Sequence, residues 1–179
     1  MSAPVGARAL AAMEVRNFDF LAGAWRARER SLKQCGVGCT EWVERDAYLI
    51  MRPLIGGLAN AEEITYPGNP EFGVATFRCY DIAAAEWIIQ SYVAGTHAHV
   101  PGMYGAMGVL IPPLRGRFAA GHGEFIGESE HEGRPVKVKY VWRDITALSA
   151  NWERWFSFDQ GASWERNIVW SQFRERTLA

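Results

Sequence analysis

Between residues 24 and 174 the chain alternates apolar and polar side chains in short runs separated by turn residues, and no run repeats at helical spacing. Strands are expected at 24–33, 39–50, 59–66, 73–80, 86–94, 103–110, 117–129, 136–144, 147–158 and 163–174. Turn residues stand between them, as in Pro67-Gly68-Asn69-Pro70, Pro101-Gly102, Gly133-Arg134-Pro135 and Asp159-Gln160-Gly161. A parallel sheet needs a crossover helix after each strand, and that pattern is missing. The expected fold is therefore all-β, an antiparallel up-and-down β-barrel of about ten strands. Closing such a meander on itself removes exposed edges. One domain spans 1–179. Its N-terminal arm, 1–17, carries a short helix over 6–15, and residues 94–113 form a long loop or lid.

Charge excludes some partners. Nineteen Lys and Arg balance twenty Asp and Glu, for a net charge of −1. Neither nucleic acid nor an anionic membrane finds a basic footprint on such a chain. Arg8, Glu14 and Arg16 interrupt the apolar stretch a signal peptide needs. The longest apolar stretch, Ala106–Leu114, is too short to span a bilayer. A cytoplasmic location is expected. Cys35, Cys39 and Cys79 are too few and too unevenly spaced for a disulfide framework or a zinc site, and read as free thiols.

Two hairpins can be read residue by residue. Pairing Glu130 with Lys137, Glu128 with Lys139, Ile126 with Val141 and Glu124 with Arg143 places opposite charges across from each other on one face. Phe125, Val138, Tyr140 and Trp142 then face inward. In the next hairpin Leu148, Ala150, Trp152, Arg154, Phe156 and Phe158 share a face, opposed by Trp164, Arg166, Ile168 and Trp170. Arg154, and Arg166 with it, would be cations in an aromatic interior. A buried guanidinium there needs a carboxylate, a carbonyl or an anionic ligand; Arg154 pairs with a protein carboxylate, stacks on Trp152 or meets a ligand. Trp155 falls on the outward face and marks a candidate homodimer interface.

Most motifs dissolve on inspection. Ser157-Phe158-Asp159-Gln160-Gly161-Ala162-Ser163-Trp164 has the look of an Asp-box, but a single copy is a hairpin turn and not a propeller. His97-Ala98-His99 is the only close histidine pair, and no carboxylate follows at ligand spacing, so no metal site is expected. His122 would join it only by accident of folding. Glycine-rich phosphate loops and nucleophile elbows are missing as well.

Phe18-Asp19-Phe20-Leu21-Ala22-Gly23-Ala24-Trp25 resembles the opening of lipocalin-like barrels, in which a Gly-x-Trp begins the first strand and the Trp plugs the barrel base. In that resemblance a late arginine packs over the Trp, and Arg174 holds the position. Gly116-Arg117-Phe118, Gly123-Glu124-Phe125, Gly133-Arg134-Pro135-Val136 and the stretch Ala150 to Asn167 extend the likeness. Together they resemble a bacterial family of lipocalin-like domains of unknown function in the calycin superfamily. The resemblance implies an antiparallel barrel of about ten strands around a central cavity and brings no catalytic residues with it. Nitrobindin, a haem-binding barrel of similar shape, opens with a glycine-rich strand that this chain lacks. No haem or other cofactor is expected.

Two functions are expected from these residues. The first is binding of a small hydrophobic or amphipathic molecule among Tyr92, Tyr104, Phe125, Tyr140, Trp142, Trp152, Phe156 and Trp170, with Arg154 fixing a polar or anionic end. The second is a metal-free cyclase or isomerase acting on a polyketide- or terpenoid-like substrate, with His97, His99 and Tyr140 as acid/base candidates.

Overall fold

A computed structural model describes residues 14–95 and 104–175. Ten antiparallel strands run through these residues: β1 (Gly23–Leu32), β2 (Trp42–Leu54), β3 (Ala59–Tyr66), β4 (Asn69–Asp81), β5 (Glu86–Gly95), β6 (Leu114–Ala119), β7 (His122–His131), β8 (Arg134–Arg143), β9 (Ser149–Ser157) and β10 (Glu165–Arg174). Each pairs with its sequence neighbours, and β1 pairs with β10, so the barrel is closed. Among the described residues no helix is long and apolar enough to cross a membrane. Cys35, Cys39 and Cys79 are free.

The expected count of ten is met through two compensating errors. Of the strand expected over 103–110, Met103 lies outside the described residues and 104–110 do not make a strand; Leu110 alone forms an isolated bridge, to Tyr92. Gly105 and Gly108 adopt positive φ, and Pro112 and Pro113 have no N–H to offer, so a ladder cannot propagate. Single backbone bonds hold the segment instead, from Gly105 to Glu130, Gly108 to Val93 and Ile111 to Ser91. The expected strand 117–129 is in fact parts of two strands, divided at Ala120-Gly121, both at positive φ. Alanine is an uncommon residue for that conformation, which hid the turn. The helix expected over 6–15 falls outside the described residues except for Glu14 and Val15. The chain then passes through a turn and one 3-10 turn, Asp19–Leu21, into β1.

The β7–β8 register also differs from the expected one. His131 pairs with Arg134, and the two-residue loop Glu132-Gly133 has both residues at positive φ, the twist a tight hairpin requires. Phe125 therefore opposes Tyr140 instead of Trp142, and none of the three expected charge pairs is opposed; Glu128 faces Lys137 instead of Lys139, with amine and carboxylate 3.9 Å apart. Turn geometry outranks exposed charge pairs in setting register. The slip is two residues, so the faces are unchanged and Phe125, Val138, Tyr140 and Trp142 are buried as expected.

In β10 the register shifts between Arg166 and Ile168, and Asn167 is fully buried. This bulge corrects the phase at one end of the strand. Ile168 and Trp170 point inward, but Arg166 lies outside, bonded to Glu153. Trp164 is outside too, under Lys139 at 4.3 Å. Leu148 is exposed rather than inward. Trp155 faces out but is half-buried beneath Lys139 and Arg166, with its indole N–H on Glu153, so its own chain covers the expected interface residue.

One end of the barrel is plugged. Trp25 is buried and donates its indole N–H to the Leu21 carbonyl at 2.9 Å. The Arg174 guanidinium lies 4.4 Å from the Trp25 ring centre and donates to the carbonyls of Phe20, Ala22 and Ala147. Above the plug, Phe18 meets Trp87, Phe118 and Trp142 edge to face, at 5.0, 4.9 and 5.3 Å. Tyr80 ties Glu14 to this end through a 2.7 Å hydrogen bond; burial, then the neighbouring carboxylate, push the phenol up to about 12.

Candidate functional site

Two rows of side chains cross the interior above the plug. Strand register aligns Trp142, Trp152, Trp170, Glu29 and Arg45 on β8, β9, β10, β1 and β2. One step further from the plug stand Tyr140, Arg154 and Ile168. On the facing wall Leu49, Ile64, Val74 and Val93 form an apolar row, with Glu62, Thr76 and Ser91 beside it. Between the walls lies a cavity of about 90 Å³. Arg45 is the part-exposed charged group of its lining, 27% open, and stands at the rim.

The charges inside are mostly paired. Glu29, fully buried, accepts from Arg45 at 2.6 Å, Trp170 at 2.8 Å and Tyr66 at 3.1 Å. The Arg45 guanidinium also lies over the rings of Tyr66 and Phe72. Glu62 pairs with Arg78 at 2.5 Å, and Arg78 also donates to Asn60 and stacks on Phe18 and Trp142. Thr76 and Ser91 share a hydroxyl contact of 3.2 Å.

Arg154 is the exception. It is 6% exposed, its Nε donates to Asn167 at 2.8 Å, and its plane is covered by Phe156 and Tyr104 at 4.6 and 5.4 Å. Among the described residues no carboxylate bonds to it, and its Nη2 has no partner. The β10 bulge explains part of this: it turns Asn167 inward to meet Nε and sends Arg166 out. Beside Arg154 the hydroxyls of Tyr104 and Tyr140 meet at 2.5 Å. Burial raises both phenols above their ordinary range and keeps them protonated, although the Arg154 charge pulls the other way.

Of the residues expected at the ligand, Tyr104, Tyr140, Trp142, Trp152, Arg154 and Trp170 line the cavity. Phe125 and Phe156 are fully buried but lie behind the lining, Phe125 against Trp142 and Phe156 against Arg154. Tyr92 is on the outer face and 39% exposed, since alternation on β5 turns Ser91 and Val93 inward. His97 and His99 lie outside the described residues. His122 is exposed on β7, and no cluster of His, Cys, Asp or Glu among the described residues has the makings of a metal site.

Sequence reasoning missed Glu29, Arg45, Glu62, Arg78 and Gln172. The signal was available: Glu29 has the parity of Trp25, already assigned to the plug, and so had to point inward.

No family model matches the chain, and no curated protein matches it either. Among solved structures it is similar to an S-type phycobiliprotein lyase, CPES, from Guillardia theta. The match covers 97% of this chain and 99% of that one, with a TM-score of 0.53 and 8% identity. At that identity the likeness extends to the fold, a lipocalin-like β-barrel.

Proposed function

We propose that the protein binds a small molecule, apolar over most of its surface, inside the barrel. The observation that carries this reading is the interior itself: a cavity whose lining leaves polar atoms of Arg78, Trp142, Trp152, Arg154 and Gln172 without partners. A barrel evolved only for stability would fill that space with side chains and satisfy those groups. Apolar walls with a few convergent polar groups are the usual make-up of a ligand site. Ligand binding by a barrel of this shape also agrees with the likeness to a phycobiliprotein lyase, without indicating the ligand.

Native mass spectrometry of the purified full chain tests the reading, with thermal shift across a panel of small apolar molecules. A bound mass, or stabilisation by a panel member that disappears when Val93→Trp fills the cavity, is the expected result. Neither a bound mass nor any shift would remove the reading.

The Tyr104–Tyr140 hydroxyl pair supports a second reading, metal-free isomerisation or cyclisation. Two buried, protonated phenols beside an arginine could donate a proton to a confined substrate. His97 and His99 stay candidates for the matching base. Tyr140→Phe would abolish such turnover but leave binding intact; unchanged turnover would exclude Tyr140 as the acid.

A further inference from the structure

Resting on the binding reading above, we infer that the ligand carries a single negative charge, a carboxylate, and that Arg154 holds it against the β8–β10 wall. The charges of the lining do not balance. Among the described residues it contains three cations, Arg45, Arg78 and Arg154, and two anions, Glu29 and Glu62. Arg45 is matched by Glu29 and Arg78 by Glu62. Arg154 is left over, and the described lining has one uncompensated positive charge. A guanidinium does not escape the cost of burial by losing its proton. An unmatched buried ion costs several kcal/mol relative to water, so a counter-ion is the missing component.

The orphan atoms agree with the charge. Among the described lining residues the unpartnered donors are Arg78 Nε, Trp142 Nε1, Trp152 Nε1 and Arg154 Nη2, against one unpartnered acceptor, Gln172 Oε1. A lining with surplus N–H groups selects a guest rich in acceptors. Three of the four donors sit on β8 and β9, in the two adjacent rows that hold Trp142, Trp152 and Arg154. Across the cavity, the wall of Leu49, Ile64, Val74 and Val93 is apolar. The two walls set an orientation, with acceptor edge toward Arg154 and apolar flank toward β2–β5.

Geometry narrows the anion. Asn167 occupies Arg154 Nε, and Phe156 and Tyr104 cover the guanidinium plane. What remains is the terminal Nη edge, whose two nitrogens match the two oxygens of a carboxylate. A dianion such as a phosphate monoester would exchange one surplus charge for another around an arginine that is 6% exposed. The site therefore takes the monoanion.

Isothermal titration of the full chain with phenyl-substituted acids, from benzoate to 4-phenylbutyrate, against the alcohols of the same length tests this, with phenyl phosphate as the dianion. The acid is expected to bind about tenfold or more tighter than its alcohol at the best-fitting length. Arg154→Met should remove that preference and leave the alcohol within about twofold of its wild-type affinity. Arg154→Lys, which keeps the charge but not the paired edge, should retain part of it; with the wild-type comparison it stands in if the methionine variant does not fold. Equal binding of acid and alcohol, a preference that survives Arg154→Met, or tighter binding of phenyl phosphate would overturn the inference and leave the binding reading in place. No binding by any of the probes, with no mass carried through purification, would end both.

Discussion

Two arginines, one at each end of the interior, lie over aromatic rings at nearly the same distance. Arg174 is 4.4 Å from the ring of Trp25, and Arg154 is 4.6 Å from that of Phe156. Arg174 directs its donors to three backbone carbonyls, so the plug is complete without any guest. Arg154 has one side-chain amide and an unpartnered Nη2. The same stacked cation is thus a structural latch where carbonyls surround it and a receptor where they do not. Stability and recognition occupy separate ends of one cylinder, and a change at one end can be read without disturbing the other.

The largest effect is expected at the plug. Trp25→Ala empties a site that is 1% exposed and should destabilise the protein by about 3–5 kcal/mol in urea unfolding. A loss below about 1 kcal/mol would mean that the plug is not a separate stability centre. Next comes the arginine pair itself. Arg174→Met strips hydrogen bonds from three carbonyls and should cost about 2–3 kcal/mol. Arg154→Met removes an uncompensated buried charge and should leave the ligand-free protein within about 1 kcal/mol of wild type, or more stable. Equal losses in the two variants would break the contrast, since Arg154 would then be as much a structural latch as Arg174.

The plug was legible in the sequence, and the charged interior was not. Gly23-Ala24-Trp25 and Arg174 carry the plug in a local motif and one distant residue, and both fell where the resemblance put them. Inward faces on β8 and β9 were legible as well, because alternation fixes parity and parity survives a two-residue slip in register. Three features were hidden for physical reasons. The β7–β8 register depends on a loop in which Glu132 takes positive φ, a state rarely adopted by glutamate. The β10 bulge inverts the phase at Asn167, and no rule of period two anticipates an inserted residue. The pairs Glu29–Arg45 and Glu62–Arg78 join different strands, so although parity turns Glu29 inward, the partner of each charge cannot be read from its own strand.

The smallest effect sharpens the same contrast by means of pH. At the cavity end the β9–β10 turn is organised by a carboxylate: Asp159 accepts from the Ser157 hydroxyl, the Ser163 amide and the Ser163 hydroxyl. These bonds, the Ser163 hydroxyl foremost, lower Asp159 from its ordinary 3.8 to about 2. A carboxylate with a depressed folded-state value adds stability that is fully present above about pH 4 and is lost as pH falls through about 2. Protonated Asp159 can no longer accept these bonds as an anion, and Gly161, held through its amide to Ser157, loosens with it. The Arg174 latch involves carbonyls alone and has nothing to titrate in that window. Hydrogen exchange at pH 5 and pH 2 should therefore show lower protection factors at Gly161 and Ser163 in acid, with the Trp25 and Arg174 amides unchanged. Asp159→Asn should show the acid pattern already at pH 5. Equal acid loss at both ends would mean that the barrel opens as one unit, and the division between plug and receptor would then be one of chemistry without a matching division of stability.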